Sequence, residues 1–239
     1  MANTDPAMAG IAANLARIRA DIDAACRRAQ RPPEDVRLMA AVKMVPPEAI
    51  RVAFAAGIRL FGDNRVQERE AKQAALGAAL AGPDADWHFI GALQSNKAAK
   101  AVALFDSIDS LDRLDLAQRV SRAAEAAGRV LPVMIEVNIA AEPQKSGVAP
   151  EQAEALAAAI AALPALRLTG CMTVPPAAGD PRRWFAALRQ LGERLRGFGA
   201  GERWELSMGM SDDFPVAIEE GATIIRLGRA LFGARPSRA

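Results

Sequence analysis

An alternation constrains this chain more than any single motif. Short apolar runs rich in Val, Ile, Leu and Phe recur eight times, at residues 36–42, 59–62, 87–92, 104–108, 133–138, 166–173, 203–207 and 223–227. Longer stretches with helical spacing separate them. Several of these, such as "PPEAIRVAFAAG" and "PRRWFAALRQLGERLRGFG", open with proline and close on glycine. Proline's fixed φ suits a first helical turn and glycine's freedom suits the exit, so these boundaries are firm. Strand and helix in strict alternation predict a parallel sheet covered by helices. Eight such units in 239 residues fit an α/β fold of the (β/α)8 TIM barrel type, whose usual length is about 250 residues. A doubly wound open sheet is the alternative, but no GxGxxG follows an early strand, which removes support for its dinucleotide-binding version. Residues 11–28 form an additional N-terminal amphipathic helix. No linker, low-complexity segment or charge block divides the chain, so residues 1–239 are expected to make one domain.

Charge and composition narrow the function. Thirty basic and 28 acidic side chains leave a net charge of +2 without a run of like charges, so there is no electrostatic case for nucleic acid. No apolar run reaches the length of a membrane span, and the charged N-terminal pattern lacks signal-peptide order. The expectation is a soluble, cytoplasmic protein. Cys26 and Cys171 make no metal-ligand spacing and read as buried thiols. His88 is the only histidine, which leaves no His-rich metal site, and a hydrogen-bonded structural role suits it best. Tyrosine is absent, so one common acid–base side chain is unavailable.

In a barrel, the loops at the carboxyl ends of the strands converge on one mouth. Lys43 ends the first apolar run, in "RLMAAVKMVPPEAI". A lysine in such a place ordinarily leaves the strand for water. The loops after strands seven and eight, "SMGMSDD" and "RLGRALFG", bring glycines, the hydroxyls of Ser207 and Ser211, and Asp212 as a potential helix start. That combination suits a phosphate, at the place where this fold usually binds one. Strands one and eight are neighbours in a closed barrel, so a lysine beside a phosphate site points to a pyridoxal phosphate pocket. Arg226 alternates with Ile225 and Leu227 and therefore faces inward, as one half of a buried salt bridge or toward the pyridine nitrogen, which it would keep unprotonated.

These segments resemble the pyridoxal phosphate homeostasis proteins, single-domain relatives of the alanine racemase N-terminal barrel. The likeness runs over nearly the whole chain through "LMAAVKMVP", "LFGDNRVQE", "WHFIGALQSNK", "VNIAAEPQKSG" and "LSMGMSDDFPVAIEEGATIIRLGRALFG". The resemblance implies Lys43 as the Schiff-base lysine, Asn64 beside the cofactor, Arg226 near the pyridine nitrogen, and Ser207, Gly228 and Arg229 around the phosphate. It implies pyridoxal 5'-phosphate as cofactor, a role in vitamin B6 and amino-acid homeostasis without catalytic turnover, and pyridoxal phosphate-dependent apoenzymes as recipients. A monomer is the expected state. The alternative, an alanine racemase-like enzyme acting on a small amino acid, would call for a second, all-β domain and a tyrosine. The chain departs from the family pattern at Val42 and Met44, where Ser and Thr are usual, at Asp63 and Arg65, where Glu and Tyr are usual, and at Arg229, where Ser or Thr is usual. The apolar flanks of Lys43 are expected to favour a neutral amine.

Overall fold

The structure, a computed structural model, describes residues 6–77, 80, 84–199 and 203–233. Eight parallel strands close on themselves in sequence order: β1 (Arg37–Ala41), β2 (Leu60–Asp63), β3 (Asp86–Phe89), β4 (Ser107–Leu111), β5 (Leu131–Glu136), β6 (Leu166–Met172), β7 (Glu205–Ser207) and β8 (Ile224–Leu227). Pairing of Met39 with Arg226 and of Ala40 with Leu227 joins the first strand to the last, and the (β/α)8 barrel expected from the alternation is complete. The helices are α1 (Pro6–Arg28), α2 (Pro47–Ala55), α3 (Val66–Leu76), α4 (Ala98–Leu104), α5 (Leu114–Ala126), α6 (Ala153–Ala161), α7 (Arg182–Leu195), α8 (Phe214–Glu219) and α9 (Arg229–Phe232).

Strand alternation divides the interior into two parts. Outward side chains such as Phe61, Trp87, Ile108, Val133 and Ile225 pack under the helices in the main core, where Phe61 and Trp87 stack at 4.9 Å. Inward Met39, Leu60, Met134 and Ile224 form a separate small cluster, with Ile90 against it, that fills the barrel itself. The register shifts between Ile108 and Leu111 on β4, and between Val133 and Met134 on β5.

The fourth strand lies later than its apolar signal suggests: 104–108 is expected, Ser107–Leu111 is found, and Leu104 closes α4. Its inward residues are polar for a reason. Ser107 Oγ donates to Asp109 Oδ1 at 2.5 Å, and Asp109 Oδ2 receives His88 Nδ1 at 2.7 Å. Asp86 Oδ2 lies 3.3 Å from the other ring nitrogen. An imidazole with a carboxylate at each nitrogen is held as imidazolium. Burial alone would drive its pKa down, but Asp109 and Asp86 outweigh that and lift it to about 10.

Helix α1 buries Ile11, Leu15, Ile18 and Ile22, spaced to share one helical face. Asn14 Nδ2 donates to the Leu231 carbonyl at 3.1 Å, and Arg28 pairs with Glu219 at 2.6 Å, so the helix straps the far end of the chain to the barrel. No helix among the described residues is long and apolar enough to cross a membrane.

Candidate functional site

Lys43 stands two residues beyond the end of β1, partly buried. Among the described residues its amine has no hydrogen-bond or ion-pair partner, which is unusual for a shielded ammonium. It borders two cavities. One, of about 670 Å³, is lined by Asn64, Gln67, Glu68, Phe89 and Lys97. The other, of about 410 Å³, is lined by Ala41, Val45, Gly228, Arg229 and residues of α1. Lys43 thus joins Asn64 on one side to the start of α9 on the other. A Cβ at Gly228 would stand 3.3 Å from the Ala41 carbonyl oxygen, so glycine lets β8's exit lie close against β1.

The two flanks of Lys43 differ. Val42 is fully buried, whereas Met44 is 52% exposed and held at φ +59°, so only one apolar neighbour shields the lysine. A left-handed backbone costs a non-glycine residue about 1–2 kcal/mol, which the surroundings must offset. Asp63 is also fully buried and pairs with the buried Lys72 at 2.5 Å. Burial pushes the Asp63 carboxyl up and the Lys72 ammonium pulls it back. Arg65 is mostly exposed, 3.9 Å from Glu68.

Arg226 is 5% exposed and, among the described residues, makes no ion pair. Its guanidinium donates instead to Ser207 Oγ at 2.8 Å and to the Thr173 carbonyl at 2.7 Å. Burial lowers its pKa, countered by the carboxylates of Glu136, Asp109 and Asp213. The reciprocal effect falls on Glu136, at the end of β5. Burial pushes its carboxyl up to about 7, with Arg226 pulling down and Asp112 adding repulsion. Glu136, Thr173, Glu68 and Lys72 are the residues around the site that the sequence did not single out. Glu136 alone carried a signal, as the charged end of an apolar strand in "MIEVN".

Ser207 is fully buried with its hydroxyl bound by Arg226, and neither residue is among those lining the two cavities beside Lys43. Ser211 stands nearer the start of α9, where its hydroxyl accepts the Ala230 N–H at 3.1 Å. Gly209, at φ +94°, brings the loop against α8: a Cβ there would stand 2.6 Å from that of Ala217. Asp213 rather than Asp212 occupies the N-cap position of α8, and it accepts the Met210 N–H at 2.6 Å. Asp212 turns outward and pairs with Arg229, so Arg229 offers the cavity its backbone and the stem of its side chain.

Residues 13–236 match the family model described as alanine racemase, N-terminal domain. The chain is 45% identical over 228 residues to the pyridoxal phosphate homeostasis protein of Pseudomonas aeruginosa, covering 95% of this chain and 97% of that one. The chain belongs to the pyridoxal phosphate homeostasis protein family. A solved structure, PipY of Synechococcus elongatus with pyridoxal phosphate bound, is 41% identical and superposes with a TM-score of 0.80 over 93% of this chain and all of that one. The alanine racemase of Clostridium difficile shares the fold at a TM-score of 0.70 and 15% identity, and the likeness covers 56% of that longer chain. Within the homeostasis-protein frame, the cluster around Lys43 sits where a barrel gathers its functional groups, at the carboxyl ends of its strands.

Proposed function

We propose that this chain binds pyridoxal 5'-phosphate through Lys43 and serves intracellular vitamin B6 and amino-acid homeostasis as a holder of the cofactor. The observation that carries the reading is the Lys43 amine, without a partner among the described residues, between two cavities, one bordered by Asn64 and the other by Gly228 and Arg229. The residues fit the group: an amine without a partner among the described residues for an aldehyde, backbone and hydroxyl groups at the β7 and β8 exits for a phosphate, and a buried guanidinium that makes no ion pair among the described residues for a ring nitrogen. When bound, pyridoxal phosphate supplies an aldehyde that condenses with a primary amine, with loss of one water, and a ring able to draw electrons.

The protein's own groups then divide the work. Lys43 holds the aldehyde carbon, and Asn64 borders the same cavity. Gly228, the Arg229 backbone and the Ser211 hydroxyl receive the phosphate. Arg226 meets the ring nitrogen as a donor and disfavours its protonation, because a second positive charge there is repelled. Ser207 and Thr173 keep that guanidinium in place. A ring nitrogen kept neutral is a weak electron sink, which suits holding better than turnover. The chain also has no tyrosine to move a proton at the site. We further place the protein in the cytoplasm, where two buried free cysteines suit a reducing compartment, as a monomer of one domain that passes its cofactor to pyridoxal phosphate-dependent apoenzymes.

Borohydride treatment of the loaded protein, followed by peptide mass analysis, should find a phosphopyridoxyl group on Lys43 and none in Lys43→Ala. An adduct on another lysine, or undiminished yellow absorbance in the variant, would overturn the assignment. Steady amino-acid turnover at about 1 per second or faster would overturn the holder reading in favour of a racemase-like enzyme.

A further inference from the structure

The peptide groups on either side of Lys43 are both gripped by one helix. Lys72 Nζ donates to the Val42 carbonyl at 2.7 Å, and Glu68 Oε2 accepts the Met44 N–H at 3.0 Å. Glu68 and Lys72 are four residues apart on α3, on one face, and lie 3.5 Å from each other. Lys72 is anchored in turn by Asp63 at 2.5 Å, and the other oxygen of Asp63 accepts the Asn64 N–H at 2.8 Å. One connected set of side chains therefore holds the backbone of Lys43 from both sides and that of Asn64 as well.

We propose that Glu68 and Lys72 are positioning residues for the cofactor lysine: they fix the Lys43 peptide, and with it the direction in which the amine leaves the backbone. This rests on the reading of Lys43 as the reactive amine. The left-handed φ of Met44 turns the chain sharply just after Lys43; the Val45 N–H closes that turn on the Val42 carbonyl at 3.0 Å, and the Glu68 carboxylate takes the Met44 N–H, which the turn itself leaves free. Direction matters because the side chain is long: a swing of about 20° at its base carries an extended lysine amine about 2 Å, beyond the tolerance of productive geometry.

The test compares Glu68→Ala, Glu68→Gln and the parent, with Lys72→Met as a further variant. Glutamine keeps an oxygen to accept the Met44 N–H, and alanine does not. In the cofactor-free proteins, hydrogen exchange at the Met44 amide should accelerate in Glu68→Ala and stay near the parent in Glu68→Gln. On adding pyridoxal phosphate, the rate at which Lys43 becomes trappable by borohydride should fall at least about tenfold in Glu68→Ala under conditions where urea unfolding shows that variant fully folded, and recover to within about twofold in Glu68→Gln. Capture in Glu68→Ala within twofold of the parent overturns the proposal, as does an equal loss in both variants. Should Lys72→Met fail to fold, the two Glu68 variants still decide. Should the parent capture no cofactor, the functional reading falls by itself. NMR of Lys43 in the reductively ¹³C-methylated parent and Glu68→Ala then decides the positioning: a shifted signal supports it and an unchanged one overturns it.

Discussion

Replacing Glu136 by glutamine should stabilise the protein at alkaline pH and do progressively less as the solution is acidified. The carboxyl ends β5 facing the barrel interior, and burial pushes its pKa from 4.5 to about 7 despite the attraction of Arg226. A folded-state pKa above the unfolded one means that the group's contribution is fully present below about 4.5 and is lost as pH rises through about 7. At 1.36 kcal/mol per pKa unit, the whole loss is about 3.4 kcal/mol, of which about 2.5 kcal/mol falls between pH 5 and pH 8. Glutamine has nearly the same shape and does not titrate. The stability of Glu136→Gln relative to the parent should therefore rise by about 2.5 kcal/mol from pH 5 to pH 8, equivalent to roughly 5–10 °C in Tm for a chain of this size. Urea unfolding of both proteins at pH 5, 6, 7 and 8 measures it, since the other titrating groups are common to both and drop out of the difference. A difference that stays flat to within about 0.5 kcal/mol across that range would refute the reasoning.

His88→Asn should cost about 3–5 kcal/mol near neutral pH by leaving Asp109 buried without its partner. Because the His88 pKa is raised to about 10, that advantage of the parent should be full below about 6.5 and vanish as pH climbs through 10. Thermal melts at pH 6 and pH 10 check this, and a gap that does not narrow counts against the imidazolium. Gly209→Ala should lose about 2 kcal/mol or more, since the new methyl meets Ala217 and the residue must keep a positive φ. An unchanged urea midpoint would show that the loop after β7 yields more readily than its packing implies.

The alternation was legible because parallel strands covered on both faces read as apolar runs, whichever way each side chain points. It misplaced β4 because the inward residues there, Ser107 and Asp109, serve a buried histidine, so the hydrophobic signal stopped early while the strand continued. Lys43, Asn64, Gly228 and Arg229 could be placed at the mouth from their positions at strand ends. Their partners could not. Lys72, in "EREAKQ", has the sequence surroundings of a solvated helix face, and nothing local shows that Asp63, nine residues earlier, takes its ammonium into the interior. Ser207 likewise reads as a hydroxyl for an anion, and only the closed barrel shows Arg226 from β8 occupying it. Asp212 and Asp213 are adjacent and chemically alike, so which one occupies the N-cap position of α8 depends on Arg229 drawing the first away.

The small cluster of Met39, Leu60, Met134 and Ile224, with the His88 carboxylate cage beside it, makes the barrel a cul-de-sac. Nothing can pass from one end to the other, so Lys43 is reached only from the side of the strands' carboxyl ends. On the proposed reading, a cofactor held at Lys43 could not be passed on through the barrel. A recipient, on that reading, would have to approach the same rim that the cofactor enters by.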